Sequence, residues 1–301
     1  MLQLNAITLG YAVPQDGFDG RVHSSFRSAA NLKIDGNQYL LTLLLQSETD
    51  LPQGIRADSP QGFTFEDLPI HERLTCRDGI LRFEKTLLEI DLRKGLRWQC
   101  DLSSFSLETT NSMFLASWEK VWQLLNSRQK LSGAEIVAEE LLQPQDVQGP
   151  GLLKRMVKGV TGLIESTENM DLYTKDTVSA LIGLGSGLTP SGDDLLVGYM
   201  AGLFCRVGRN KTRKKFISEL GKTLIDLSKK TTDISRTYLY HATKGQFSKN
   251  LTDLAEAICN GENSDHLYAV STSAMQMGHT SGMDSVTGLL LGLKAWEGFR
   301  I

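Results

Sequence analysis

Gly183-Leu184-Gly185-Ser186-Gly187-Leu188-Thr189-Pro190-Ser191-Gly192-Asp193-Asp194 runs without a break into an apolar stretch at residues 195–205. Four glycines leave backbone amides uncovered by side chains, and the loop delivers the chain to a helix start, where the helix dipole favours negative charge. The same order of residues returns near the C-terminus as Gly278-His279-Thr280-Ser281-Gly282-Met283-Asp284, leading into residues 285–293. With one deletion at Pro190, Ser191 matches Ser281, Gly192 matches Gly282, Asp194 matches Asp284, Gly198 matches Gly288, Gly202 matches Gly292 and Leu203 matches Leu293. Two glycine-rich loop–helix units are therefore predicted, converging on one ligand; the competing reading is a packing motif used twice.

Within these helices Gly198 and Gly202 lie four residues apart, as do Gly288 and Gly292, so each helix carries a glycine face. A glycine inside a helix costs roughly 0.5–1 kcal/mol relative to alanine, and four of them point to a packing demand. Two helices meeting along such faces would bring both loops to the same end.

The loop chemistry admits more than one use. Ser191 and Asp194 have capping-box spacing, and Thr189 before Pro190 offers a rival helix start. Oxygen-rich side chains beside uncovered amides also suit a phosphate or a small carboxylate, with Mg²⁺ a possible bridge through Asp193 or Asp194 and Asp284. The spacing matches neither a P-loop, since no lysine lies in the loop, nor the dinucleotide fingerprint. No Ser/His/Asp nucleophile arrangement is legible, because Ser191 has no nearby base in sequence. His279, inside the second loop, suits charge stabilisation or proton transfer, or else a structural place. A third segment, residues 231–242, offers Ser235 and Arg236 to an anion site, while Arg236 and His241 read equally well as surface residues.

The candidate catalytic residues are accordingly His279, Arg236, Asp194 and Asp284. The candidate substrate contacts are Gly185, Ser186, Gly187, Thr189, Ser191, Gly192, Asp193, Ser235, Thr280, Ser281 and Gly282, with no metal ligand assigned.

Outward from this motif, the chain has 301 residues, of which 41% are hydrophobic and 22% charged, with a net charge of −3, so it reads as globular and not directed to nucleic acid or anionic membrane. Cys76, Cys100, Cys205 and Cys259 form no CxxC pair and read as buried free thiols of a reducing cytoplasm. Neither a secretory signal nor a membrane-length apolar run is present.

Residues 1–111 are expected to form a β-rich domain. Strand signals fall at 21–30, at 31–34 and 38–45 around the turn Asp35-Gly36-Asn37, and at 79–83, 86–92 and 96–102. Residues 51–69 read as loop with a short extended piece at 62–65. Residues 112–301 are expected to be all-helical, with helices at 113–125, 134–142, 152–164, 176–184, 194–207, 211–229, 233–244, 251–258, 266–277 and 284–295, and a breaker at 148–151. The fold class is thus α+β, and the basic run 208–215 reads as a solvated helix start.

At residues 183–194, 235–245 and 278–288 the chain resembles a bacterial family catalogued as a domain of unknown function, the family that includes the AllH-type subunit of oxamate carbamoyltransferase. Phe26-Arg27-Ser28-Ala29-Ala30-Asn31-Leu32 and Leu51-Pro52-Gln53-Gly54-Ile55 are similar to it as well. The resemblance implies a cytoplasmic subunit working with FdrA-like and AllG-like partners in allantoin (purine) catabolism. That system interconverts oxalurate and phosphate with oxamate and carbamoyl phosphate. The Ser-Thr-Arg-Thr phosphate signature of ordinary transcarbamylases is absent, and Ser235-Arg236-Thr237 does not stand in for it. A metal-assisted hydrolase using Asp193, Asp194, Asp284 and His279, and a non-catalytic scaffold, are the competing functional readings.

Overall fold

The computed structural model describes residues 2–100, 102, 111–132, 134, 136–142, 151–172 and 174–297. The chain divides into two compact units, Met1–Cys100 and Asp101–Ile301.

The first unit is built from β1 (Leu2–Gly10), β2 (Phe18–Ser25), β3 (Ala29–Ile34), β4 (Leu40–Leu45), β5 (Gly54–Ala57), β6 (Arg73–Arg77), β7 (Ile80–Phe83), β8 (Leu88–Asp91) and β9 (Leu96–Trp98). Their order is β5-β4-β3-β2-β6-β7-β8-β1-β9, and β5 also bonds to β1, which closes the sheet into a barrel. Closure depends on how β1 uses its two edges. Along one edge Leu2 to Asn5 pair in parallel with β8 and Thr8 to Gly10 with β9; along the other, Ala6, Thr8 and Leu9 pair antiparallel with β5.

Period-two burial fills the interior. Phe18, Gly20 and Val22 of β2 are buried while Asp19 and Arg21 are exposed, and in β6 Leu74 and Cys76 are buried between exposed Arg73 and Arg77. Leu32, Leu43, Ile55, Leu81 and Ile90 join the same core, each worth about 1.5–3 kcal/mol on removal from water. The turn at Asp35–Asn37 forms as expected, with Gly36 at φ +75° and Asn37 N–H donating to the Ile34 carbonyl at 3.1 Å.

Several expectations need correction. Residues 21–30 enter the sheet as expected, but as parts of two strands: the chain turns after Ser25, where Phe26 N–H donates to the Ala29 carbonyl at 2.8 Å. Residues 62–65 are turn and coil, with Phe65 buried and Phe63 packed edge-on to it at 5.1 Å. The last strand ends at Trp98. No strand signal was legible at β1, β5 or β6, because a bulge between Ala6 and Thr8 breaks the alternation of β1 and the other two have only four and five residues.

The second unit comprises α1 (Ser112–Ser132), α2 (Gly151–Glu168), α3 (Lys175–Leu181), α4 (Ser191–Cys205), α5 (Lys211–Leu227), α6 (Asp233–Thr243), α7 (Lys249–Asn260), α8 (Ser264–Met275) and α9 (Ser281–Lys294). The helix expected at 134–142 is only a short 3-10 turn, Ala138–Leu142. Its first amides are taken by α1: Ala138 N–H donates to Gln129 Oε1 and Glu139 N–H to Asn126 Oδ1, both at 2.8 Å. Of the breaker at 148–151, residues 148–150 lie outside the described residues and Gly151 opens α2. All four cysteines are buried and in no disulfide, and no helix among the described residues is long and apolar enough to cross a membrane.

The centre of this unit is the α4–α9 pair, whose glycine faces bring the two backbones together. A Cβ at Gly198 would stand 1.8 Å from the Ser285 carbonyl oxygen and one at Gly202 2.5 Å from that of Leu289; reciprocally, Gly288 would meet Leu195 at 2.0 Å and Gly292 would meet Tyr199 at 2.3 Å. The contacts advance in the same sense along both helices, so the helices run parallel and their N-termini lie together. Both are buried nearly all round, as expected of core helices.

Gly→Ala in a helix ordinarily stabilises by roughly 0.5–1 kcal/mol. Here the sign reverses: Gly198→Ala and Gly288→Ala are expected to lower the thermal midpoint, with a loss of at least about 2 kcal/mol from forced separation of the backbones. Chemical denaturation of the purified variants checks this, and unchanged midpoints would refute the close contact.

Candidate functional site

The parallel pairing sets the two glycine-rich loops side by side, and they bond directly: Thr189 Oγ1 and Ser281 Oγ are 2.7 Å apart. Neither helix is capped in the expected way. Pro190 precedes α4 and Thr280 precedes α9, and in neither case does a side chain accept from the first turn. By contrast α5, α6, α7 and α8 are capped by the side chains of Asn210, Thr232, Ser248 and Asn263. The capping-box reading of Ser191 is therefore corrected, because both loop serines bond across the pair instead. Ser281 lowers the pKa of Asp194, and Ser191 that of Asp284, so each serine acts on the carboxyl of the other helix.

Asp194 and Asp284 are only 8% and 7% exposed, and Oδ2 of each is buried with no hydrogen-bond partner among the described residues. Burial pushes the Asp194 carboxyl well above the usual carboxylate range, against hydrogen bonds from Ser281 and Thr189, and the charge of Asp284 adds to the rise. Burial likewise lifts Asp284 to about 6, against hydrogen bonds from Ser191 and Thr280. The positive ends of two helices favour ionised carboxyls, so desolvation is the dominant influence on both.

A cavity of about 380 Å³ opens beside this cross-bonded pair, lined by Gly185, Ser186 and Ser191 from the first loop, His279, Thr280, Met283 and Asp284 from the second, and Gln129, Ser132, Ala134 and Ile136. The last four come from α1 and the segment after it. Gln129 is 1% exposed and donates to Thr287 Oγ1 at 3.2 Å, while Trp118 Nε1 donates to the Leu290 carbonyl at 2.8 Å, so this wall is fastened to α9. The wall residues were missed from sequence; Ile136 and Ala134 carry no chemical signal, and Gln129 lies far along the chain from either loop.

Of the candidate residues, Gly185, Ser186, Ser191, His279, Thr280 and Asp284 meet at the cavity. Gly187, at φ +91°, has open space where a Cβ would stand. Gly192 and Gly282 serve packing: their amides donate to the Leu184 and Met277 carbonyls, both at 2.8 Å, and a Cβ on either would strike backbone at 2.0 Å and 2.4 Å. Asp194, Thr189 and Ser281 form the other half of the cross-bonding and are not in the cavity lining.

Asp193 faces away from the pair, toward α6. It accepts from Gly183 N–H at 2.8 Å and from the Thr231 hydroxyl, while burial raises its pKa. Thr232 Oγ1 donates to the Leu188 carbonyl at 2.6 Å. The start of α6 thus braces the first loop. Arg236 pairs with Asp233 at 2.7 Å on its own helix, and burial lowers the His241 pKa to about 4, leaving it neutral. Among the described residues no group of three or more His, Cys, Asp or Glu side chains is placed to hold a metal; the carboxyls of Asp194 and Asp284 are the nearest approach to one.

Fold and site together define an α+β protein, a β-barrel unit followed by a helical unit whose two central helices carry a small polar cavity at their N-termini. A family model described as oxamate carbamoyltransferase subunit AllH matches residues 181–293, and one described as AllH family N-terminal domain matches residues 5–97. The chain belongs to the AllH family. No solved structure matches it.

Since the Asp284 pKa is raised on folding, the native state binds more protons than the unfolded chain between about pH 4 and 6, and stability falls as pH rises through that window. At pH 7 the ionised group costs up to about 3 kcal/mol. Asp284→Asn is expected to flatten this slope and to be more stable than the parent above pH 6 but not at pH 4. Denaturant titrations across pH 4–8 read it directly, and parallel curves for the two proteins would refute it.

Proposed function

We propose that this chain is a subunit of a carbamoyl-transferring complex of the oxamate carbamoyltransferase type. It would take oxalurate and phosphate to oxamate and carbamoyl phosphate in allantoin catabolism, in the cytoplasm and together with FdrA-like and AllG-like subunits. Membership of the AllH family supports the reaction class, and one observation carries the assignment of the site: a single cavity is lined from both glycine-rich loops.

In this reading the two loop–helix units are a pseudo-repeat that forms one binding site. The amides of Gly185 and Ser186, with the hydroxyls of Ser186 and Thr280, receive the phosphate or the oxamate carboxylate. His279, exposed at the cavity, supplies a donor to developing negative charge. Asp284, with its uncommitted Oδ2, accepts the N–H donors that every carbamoyl or ureido substrate carries. An anion alone would gain nothing from that carboxyl, so a buried acceptor beside amide donors favours a ligand bearing both an anionic and an amide end. Asp193, Ser235 and Arg236 support the first loop from behind.

Isothermal titration of the chain, alone and with its co-purifying partners, against carbamoyl phosphate, oxamate, oxalurate and phosphate tests the reading. Binding is expected for the amide-bearing anions, weakened at least about tenfold, or 1.4 kcal/mol, by Ser186→Trp, which projects an indole from an exposed loop position into the cavity. Absence of binding to the wild-type chain in every combination would sink it.

A further inference from the structure

We propose that Ser191 is a catalytic nucleophile that carries the carbamoyl group covalently, with Asp284 as its base. The inference rests on the carbamoyl-transfer reading above and goes beyond it by naming a route. Three features of the cavity support it. Ser191 stands at a helix start whose N-cap makes no side-chain cap, and it lines the same cavity as Asp284, whose pKa it lowers, so nucleophile and base are neighbours there. Thr280 hydrogen-bonds to the same carboxyl and orients it, while Asp284 Oδ2 remains unpartnered and able to take a proton. Gly185 and Ser186 line the cavity with Ser191, and their amides are the donors proposed for a developing oxyanion. Burial holds Asp284 near the protonation range in which a carboxyl both accepts and returns a proton at neutral pH.

The reaction balances without a co-reactant beyond phosphate. Ser191 Oγ attacks the terminal carbamoyl carbon of oxalurate, forming the Oγ–C bond. The serine proton passes to the Asp284 carboxylate and on to the departing nitrogen, so that cleavage of the C–N bond releases oxamate with its amide complete. A phosphate oxygen then attacks the carbamoyl-serine carbon, the C–Oγ bond breaks, and the phosphate proton returns through Asp284 to Ser191 Oγ as carbamoyl phosphate leaves.

The molecule contains its own control. Ser281 bonds to Asp194, with Thr189 as the second hydroxyl, in the same arrangement as Ser191 with Asp284 and Thr280, but only the latter set lines the cavity. If the cross-bonding were purely structural, the two serines would behave alike.

The wild-type complex is mixed with oxalurate without phosphate, quenched in acid and digested for mass spectrometry. One carbamoyl group is expected on the peptide containing Ser191, with release of one oxamate per active site. The adduct should be lost in Ser191→Ala, retained in Ser281→Ala, and moved to sulfur in Ser191→Cys, which preserves the size of the side chain. Turnover in Ser191→Ala should fall on the order of 10³-fold. A wild-type complex that turns over with no adduct and no phosphate-independent oxamate release, or a Ser191→Ala complex with unchanged turnover, overturns the proposal and leaves the carbamoyl-transfer reading standing. A wild-type complex that neither binds nor converts these substrates overturns both.

Discussion

The backbone contact between α4 and α9 is the constraint on which the helical unit depends. With no side chain at Gly198, Gly202, Gly288 or Gly292, the two helices approach until carbonyl oxygens of one occupy the space that Cβ atoms of the other would fill. Such an approach fixes the relative position of the two N-termini far more tightly than interdigitated side chains would, because backbone has no rotamers to exchange. From that follow the 2.7 Å contact of Thr189 with Ser281 and the crossed serine–aspartate bonds. The same packing buries two carboxyls at a place where no cationic side chain pairs with them among the described residues, which raises both pKa values.

Buried carboxyl oxygens without partners are costly, on the order of 1–3 kcal/mol or more each, and a fold retains them where they meet something the bare chain does not contain. The neighbouring carboxyl of Asp193 is satisfied, by Gly183 and Thr231, and the side chains that cap α5 to α8 are satisfied by first-turn amides. Asp194 and Asp284 each lie in the first turn of a helix whose N-cap residue makes no side-chain cap.

What the sequence revealed was the part encoded by local spacing. The i, i+4 glycines announced close helix approach, and the matched order of Ser, Gly and Asp in two loops announced that they would meet. The β-hairpin at Asp35-Gly36-Asn37 and most helices were legible for the same reason, since turn chemistry and apolar period are local. What stayed hidden was set by partners distant in the chain. Strand β1 closes the barrel through two different edges, and no alternation survives its bulge. The cavity wall from Gln129 to Ile136 is placed by bonds to α9 more than 140 residues later, such as that between Gln129 and Thr287. Ser191 looked like a cap because Ser-x-x-Asp is the cap pattern, and the local rule gave way because the other loop offers its hydroxyl a carboxyl that the same helix does not.

The wall also makes the surroundings of the two helix starts unlike. Matched residues of α4 and α9 make reciprocal contacts, so the pair by itself presents two equivalent faces: Ser191 with Asp284 on one, Ser281 with Asp194 on the other. The end of α1 and the chain after it enclose only the first. They turn a shallow polar surface into a cavity of about 380 Å³, which reduces the water around Asp284 and strengthens any interaction it makes there. On the opposite face the start of α6 fastens the first loop through Thr231 and Thr232, bonding to Asp193 and Leu188. The surroundings of the two helix starts thus differ: the end of α1 walls a cavity beside Ser191 and Asp284, and the residues that open α6 brace the first loop.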